Sequence, residues 1–177
     1  MGLDMYLEAE VYVPNWNHSK PEEHAKFNAV LASAGFDLPK GVRKPDYAHV
    51  YVEAAYWRKA NAIHAWFVDN VQDGRDECQR SYVSVEQLQE LVKTCERILA
   101  TVVWGTPIQH EGYEESVVES FDMEAVEELS PRSGFFFGSV ELDNWYFESL
   151  KDTVEMLQPW IEYAEPHGVS LYYQASW

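Results

Sequence analysis

The chain has 177 residues, of which 30 are acidic and 13 basic, and its net charge is −17 with neutral histidines. Apolar residues make up 46% and charged residues 24%, a composition typical of a folded domain and not of a disordered chain. The charge argues against binding to nucleic acid or to an anionic membrane, because both require Lys and Arg contacts to phosphates. A basic protein partner, a cation or solubility alone would explain the acidity.

The sequence predicts a protein of a reducing compartment. No apolar run is long enough for a transmembrane helix, and the opening residues lack the basic and apolar regions of a secretory signal peptide. Tyr6 stands where a myristoylation signal requires Ser or Thr, so no lipid anchor is expected. Cys78 and Cys95 suit two free thiols, with a single disulfide between them as the alternative. We therefore expect the chain to act in the cytoplasm.

The first third of the chain predicts two strands with a helix between them. Residues 3–13 alternate, with Leu, Met, Ala and Val at the odd positions and mostly polar residues at the even ones. This period of two predicts a strand with one buried face. A helix is expected from Pro21 to Ala34, because Pro suits the first helical turn. Residues 50–55 alternate in the same way and predict the second strand.

Two helices are expected next. An apolar stripe with helical spacing predicts a helix over residues 56–70, and its members are Tyr56, Ala60, Ile63, Phe67 and Val71. Ser84 and Gln87 form the capping-box pattern that begins the clearest helix of the chain. Cys95 lies on the apolar face of that helix and is expected to be a buried apolar residue.

The acidity is concentrated in the C-terminal part of what we expect to be a single domain, residues 1–177. Residues 105–177 contain 15 acidic and 2 basic residues, whereas residues 1–104 contain 15 and 11. Within the acidic part, Asp122 to Leu129 predicts a short helix, which a proline two residues later would end. The glycine-bounded apolar run from Gly134 to Ser139 predicts a buried strand.

The final segments complete an α+β fold. Asp143 is placed to cap a helix, which Pro159 should kink or break. Residues 169–175 alternate between apolar and polar side chains and predict a terminal strand. Strands at both ends with helices between them predict a mixed or antiparallel sheet that includes the N- and C-terminal strands, with helices packed on one face.

Several segments together resemble a family of uncharacterised phage and prophage-type bacterial proteins. They are the opening MGLDMYL, the block YWRKANAIH at 56–64, the stretch 70–78, the segment SGFFFGS at 133–139 and the terminal YYQASW. The resemblance covers most of the chain except residues 105–130. It implies a cytosolic protein encoded on mobile DNA, and such proteins often meet host defence or replication machinery.

The block at 57–64 is the first candidate site. On a helix, Trp57, Asn61 and His64 would lie within about 60° of one another, with Arg58 about 60° beyond Asn61. Trp57 could stack on a small anionic or nucleotide-like ligand, Arg58 could grip it, and the other two could form hydrogen bonds. In the alternative interpretation, Asn61 and His64 satisfy neighbouring polar groups and Trp57 packs in the core.

Metal and cofactor sites are not expected. The carboxylates Asp73, Asp76 and Glu77 share one loop, but they do not follow the calcium-loop pattern and predict a solvated turn. The six histidines show no i, i+3 or i, i+4 pair, and no C-x-x-C occurs, so a zinc site is not predicted.

The second candidate site is an acidic stretch between residues 109 and 129, where no Lys or Arg occurs. We name its eight carboxylates the acidic surface: Glu111, Glu114, Glu115, Glu119, Asp122, Glu124, Glu127 and Glu128. Like charges four residues apart on a helix cost roughly 0.2–0.5 kcal/mol per pair, so their retention favours a basic partner. Because a duplex also presents closely spaced negative charge, this surface could compete for a nucleic-acid-binding site. A solvated face that serves only solubility is the alternative.

The sequence therefore favours a non-enzymatic phage or prophage-type binding protein that inhibits a host nucleic-acid-handling or defence complex. Its partner would be a basic host protein surface, with no direct contact to nucleic acid or membrane. The first alternative is a small anionic ligand or nucleotide binder, a sponge, that uses the 57–64 block. The second is a small cytosolic enzyme with His64 as general base. We also expect the acidic surface to be exposed and to lack intramolecular salt bridges.

Overall fold

The computed structural model describes residues 2–134 and 138–177. The strands are β1 (Asp4–Pro14), β2 (Tyr47–Arg58), β3 (Ser81–Val83), β4 (Val103–Trp104), β5 (Ile108–His110), β6 (Tyr113–Glu115), β7 (Val118–Ser120) and β8 (Ser170–Ser176). The helices are α1 (Pro21–Ser33), α2 (Asn61–Asn70), α3 (Val85–Leu99), α4 (Met123–Val126) and α5 (Asn144–Tyr163), with a 3-10 helix at Glu127–Leu129. The strand predicted at 134–139 is centred on residues that lie outside the described ranges.

The predicted α+β class is confirmed. Four strands form an antiparallel sheet in the order β2-β1-β8-β3, so the N- and C-terminal strands are neighbours at its centre. As the alternation predicts, the side chains of Leu3, Met5 and Leu7 are fully buried, and so are those of Leu171 and Tyr173 on β8. There are also two small two-stranded sheets, β4 with β7 and β5 with β6. All of these strands except β4 lie in the acidic part of the chain.

The chain divides into two compact units. One consists of residues 2–9 and 53–177, and the other of residues 10–52. In the smaller unit, α1 buries Phe27, and Asn15 connects two segments of the chain. Its Nδ2 donates to the carbonyl oxygen of Pro45 at 2.7 Å, while its Oδ1 lies 2.7 Å from Nδ1 of His24.

Helix α3 begins as the sequence predicts. Gln87 N donates to the Ser84 hydroxyl at 3.2 Å, and Ser84 N donates to the Gln87 side chain at 2.9 Å, so each residue satisfies a backbone donor of the other. Cys95 is fully buried on the face that packs near α5. Burial raises the pKa of the Cys95 thiol to about 12, which keeps it protonated, as expected of an apolar core residue.

Helix α5 carries much of the core of the larger unit. The Asp143 carboxylate accepts a hydrogen bond from Tyr146 N at 3.0 Å and caps the helix, as predicted. The helix continues through Pro159 to Tyr163, so it is not broken at the proline. Leu157 is fully buried and Ile161 packs against the core, and these contacts on both sides of the proline hold the last turns in place. Among the described helices, none is both long and apolar enough to cross a membrane.

The acidic part of the chain contains short elements. β5 and β6 form a hairpin whose turn includes Gly112 at a φ of 92°, a conformation that favours glycine. Residues 108–120 therefore contain strands, and a helix with carboxylates four residues apart, which the sequence allowed here, is wrong for this range. The helix predicted at Asp122 to Leu129 is confirmed as α4 and the 3-10 turn, with the Asp122 carboxylate accepting from Glu124 N at 2.9 Å.

Candidate functional site

The 57–64 block is divided between a strand and a helix. β2 continues through Trp57 to Arg58, Lys59 turns the chain with a φ of 57°, and α2 begins at Asn61. The prediction that one helix carries the whole block is therefore wrong. Pairing within the sheet holds the end of β2 extended, and a local helical stripe does not reveal such an interaction between distant segments.

Trp57 is part of the core. Its side chain is 3% exposed, and its Nε1 donates to the hydroxyl of Thr153 on α5 at 2.9 Å. That hydroxyl donates in turn to the carbonyl oxygen of Ser149 at 2.6 Å. The indole also lies against Phe67, with ring centres 5.9 Å apart. Both its polar atom and its apolar face are therefore occupied, whereas the next residue, Arg58, is exposed.

Asn61 satisfies a backbone group at the start of α2. Its side chain is 4% exposed, and its Nδ2 donates to the carbonyl oxygen of Ser139 at 2.6 Å. This bond ties the first turn of α2 to the segment that leads into α5. Asn61 therefore fits the alternative interpretation of the sequence, in which its side chain forms a hydrogen bond with a neighbouring polar group.

His64 lies at the centre of a buried polar network. The side chain is 1% exposed, with Nδ1 2.7 Å from the hydroxyl of Tyr173 and Nε2 3.1 Å from Oδ2 of Asp76. Trp177 Nε1 donates to the other oxygen of Asp76 at 3.0 Å, and the Tyr173 ring stacks on Phe67 with centres 3.9 Å apart. A general base must reach a proton of its substrate, so two engaged and buried ring nitrogens favour a structural role.

Tyr173 enters this network as a neutral hydroxyl. Burial, and then the negative charge of Asp76, holds the pKa of Tyr173 well above its ordinary value. A hydroxyl both donates and accepts, so it can complete whichever tautomer His64 adopts. The loop that carries Asp76 is a turn, as predicted, but this carboxylate connects α2 to β8 and is not simply solvated.

Replacing Tyr173 by Phe should lower the free energy of unfolding by about 1–3 kcal/mol in urea denaturation, because one nitrogen of His64 then stays buried without its partner. The ring still stacks on Phe67, so the variant tests the hydroxyl alone. Tyr172→Phe is the matched control, because Tyr172 is the neighbouring, half-buried tyrosine of β8, and it should change stability by less than about 0.5 kcal/mol. If Tyr173→Phe had the same free energy of unfolding as the natural protein, the contact with His64 would contribute nothing to stability.

The four predicted ligand-binding residues do not converge on one concavity. Trp57 and Arg58 line a groove of about 460 Å³ together with Trp145. Asn61 lines a smaller cavity of about 130 Å³, which also reaches Trp145. His64 is held in the core by the network described above. Trp57 and Arg58 share a concavity, whereas Asn61 and His64 do not join them, and ligand binding by these residues stays a prediction.

The acidic surface is exposed, as predicted. Seven of its eight carboxylate side chains are exposed, and Glu115 is half-buried. The expectation that it lacks intramolecular salt bridges is wrong, because Glu128 pairs with Arg97 of α3. In addition, Glu115 Oε2 lies 2.8 Å from Nε2 of His110 across the β5–β6 hairpin. These two contacts arise from tertiary packing, which the local absence of Lys and Arg does not predict.

A groove that the sequence did not predict lies between β6 and the first half of α5. Its volume is about 440 Å³, and its lining includes Tyr113, Glu115, Trp145, Glu148 and Asp152. Tyr113 and Trp145 are 62% and 65% exposed. The available signal was the i, i+3, i+7 spacing of Trp145, Glu148 and Asp152, which places an aromatic ring and two carboxylates on one helix face.

No metal centre is found among residues 2–134 and 138–177, where no three His, Cys, Asp or Glu side chains come together as ligands would. Comparison with family models, with curated proteins and with solved structures finds no match to the chain. The residues of the chain itself are therefore the basis for a functional assignment.

Proposed function

We propose that this chain is a non-enzymatic binding protein of phage or prophage type, which inhibits a host nucleic-acid-handling or defence complex by docking its acidic surface on a basic surface of that complex. The observation that carries the proposal is the exposure of carboxylates with few cations near them. The segment resemblance to phage and prophage-type proteins supplies the host setting.

The charge in this half of the molecule is weakly compensated. Its two basic residues are Arg132 and Lys151. Arg132 is engaged with Asp69, with Nη1 2.9 Å from Oδ1, so its charge is already used within the protein. Lys151 is exposed on α5. A region with 15 acidic and two basic residues, of which Arg132 is already paired, therefore attracts basic surfaces over a Debye length of about 10 Å at moderate salt.

The acidic surface also has the character of a nucleic-acid competitor. It presents its carboxylates on consecutive short elements, from the hairpin turn at Glu111 to the 3-10 helix at Glu127–Leu129. A basic groove that neutralises phosphates would meet repeated negative charge here as it does on a duplex. Such docking weakens steeply with salt, because the charges on both sides stay largely solvated.

Neutralising part of the acidic surface should slow association with the partner at least tenfold and flatten its salt dependence, since electrostatic steering contributes roughly 10- to 1,000-fold to association rates. The variant combines Glu111→Gln, Glu119→Gln, Glu124→Gln and Glu127→Gln, four exposed positions outside the groove between β6 and α5. A partner captured from bacterial lysate at low salt would be purified, and its association rate measured by surface plasmon resonance at two salt concentrations.

A charge-matched control separates this surface from net charge. It combines Glu22→Gln, Glu53→Gln, Glu77→Gln and Glu96→Gln, four exposed carboxylates among residues 1–104. The control should bind nearly as fast as the natural protein and keep its salt slope. Equal rates and equal slopes in the natural protein and the acidic-surface variant would overturn the proposal and leave solubility as the role of the charge.

The second candidate function is binding of a small ligand in the groove at Trp57 and Arg58. The groove of about 460 Å³ combines the exposed Arg58 with the aromatic and apolar side chains of Tyr56, Trp145 and Met156. Asp152 and Glu155 also line it, so the anionic group of a ligand would have to contact Arg58. This composition suits a ligand with an aromatic ring and an anionic group. The salt dependence of binding distinguishes the two candidate functions, because binding in a desolvated pocket depends less on ionic strength than docking of exposed charge does.

A further inference from the structure

We infer that the groove between β6 and the first half of α5 receives the guanidinium group of an arginine side chain on the partner protein. The inference rests on the proposed function, since it names the chemistry by which the acidic half of the chain would recognise its partner. We name this site the Trp145 groove, and its lining includes Tyr113, Glu115, Trp145, Glu148 and Asp152.

The aromatic side chains of the groove are open to a planar cation. Trp145 is 65% exposed although it lies on a helix that supplies much of the core. Tyr113 is 62% exposed, and its ring is already stacked on His110, with centres 4.6 Å apart. A guanidinium group is planar, weakly hydrated and attracted to the face of an indole, so Trp145 offers it a stacking surface.

The carboxylates of the groove differ in how far they are satisfied. Glu115 lies near His110 and Asn144, at 2.8 Å and 3.5 Å, so its oxygens have partners within the protein. Glu148 Oε1 is buried and accepts no hydrogen bond from the residues that the structure describes. A buried acceptor without a donor costs about 1–3 kcal/mol and is rare in folded proteins. If the Glu148 carboxylate turned toward the groove, Oε1 could accept a hydrogen bond from an N–H donor of a ligand, and that cost would be removed.

The electrostatics of the groove also favour a cation. Among the described residues that line it there is no Lys or Arg. Burial, followed by the charges of Glu148 and Glu155, raises the pKa of Asp152, while Lys151 acts in the opposite direction. The neighbouring negative charges therefore disfavour ionisation of Asp152, and a positive group beside Asp152 would offset them.

Arginine fits this arrangement better than the other cations. Its five N–H donors lie in one plane, so a single side chain can stack on Trp145 while donating to Glu148 and to Asp152. A lysine ammonium is a compact and strongly hydrated point charge that gains less from a flat ring. A metal ion would need three ligating side chains in one place, and such a group is not found in the described part of the chain.

The test uses nuclear magnetic resonance of the ¹⁵N-labelled full chain, in which each Trp indole N–H gives one signal. The Trp145 signal is the one that disappears in Trp145→Phe. Addition of N-acetyl-arginine methylamide should shift it saturably, the lysine derivative should bind at least fivefold more weakly, and the uncharged norleucine derivative should leave it in place. The absence of a saturable shift with the arginine derivative, or equal binding of the lysine derivative, would overturn the inference.

Two conservative variants test the carboxylates. Glu148→Gln and Asp152→Asn should each raise the dissociation constant of the arginine derivative about tenfold, the loss expected for a charged hydrogen bond. Glu162→Gln is the control, because Glu162 is an exposed carboxylate on the same helix outside the groove. Unchanged affinity in both groove variants would contradict the assigned roles and overturn the inference.

Partner binding distinguishes this inference from the proposed function. If the acidic-surface variant loses binding of the captured partner while Trp145→Ala keeps full affinity, the groove inference fails and the proposed function stands. If Trp145→Ala weakens the partner at least tenfold while the acidic-surface variant binds normally, the groove inference stands and collective docking of the acidic surface fails.

Discussion

Deletion of Ser170–Trp177 is expected to abolish cooperative folding of the larger unit. β8 lies between β1 and β3 in the sheet, so β3 loses its neighbour in the sheet and β1 keeps only β2. The deletion also removes Leu171 and Tyr173, whose side chains are almost completely buried. Burial of one large apolar side chain stabilises a fold by about 1.5–3 kcal/mol, and whole domains are stable by only about 5–15 kcal/mol. Thermal unfolding followed by circular dichroism should show no sigmoidal transition.

Removal of Trp177 alone is the matched control for this deletion. Trp177 is 42% exposed, and its indole donates one hydrogen bond to Asp76. Loss of that bond should lower the free energy of unfolding by about 0.5–1.5 kcal/mol and leave a sharp transition. If the chain without residues 170–177 melted at the natural temperature, the central position of β8 would be wrong.

Replacing Trp57 by Ala should lower the free energy of unfolding by about 3–5 kcal/mol, the usual cost of deleting a buried Trp. The indole is 3% exposed, contacts Phe67 and donates to Thr153, so its removal leaves a cavity and takes away the hydrogen bond that the Thr153 hydroxyl accepts. Trp57→Phe should lower the free energy of unfolding by less, because the Phe ring refills part of the cavity, although the hydrogen bond to Thr153 is still lost. Chemical denaturation followed by circular dichroism measures both losses.

Trp145→Ala is the control for Trp57→Ala, because it removes the same side chain from an exposed position in the same unit. It should change the free energy of unfolding by less than about 0.5 kcal/mol. The pair separates the two roles that a Trp can have here, packing for Trp57 and ligand contact for Trp145. A small effect at Trp57 would mean that its indole is available to a ligand, and the ligand-binding role predicted for the 57–64 block would regain support.

The parts of the fold that follow from local patterns were predictable. Alternation at residues 3–13 and 169–175 predicted both central strands and the face that each one buries, because the side-chain period of a strand is two. The Ser84–Gln87 capping box and the Asp143 cap located the starts of α3 and α5, because these side chains satisfy backbone donors next to them in the chain.

The parts that depend on pairing between distant segments were not predictable. The end of β2 carries a helical stripe of apolar residues, yet it is a strand through Arg58 because it pairs within the sheet. The hydrogen bonds of His64 join residues 12 and 109 positions apart, to Asp76 and Tyr173. For the same reason, the Trp145 groove requires β6 to lie beside α5, although the helix face that lines it could have been recognised from its spacing.

The order of strands in the sheet has a consequence for how the protein forms during synthesis. β3 pairs with β8, and β1 lies between β2 and β8, so the middle of the sheet can close only after β8 has left the ribosome. Until then one edge of β1 has no strand to pair with. We expect pairing over so long a stretch of chain to make folding slow and to make the nascent chain a client for chaperones that shield exposed strands.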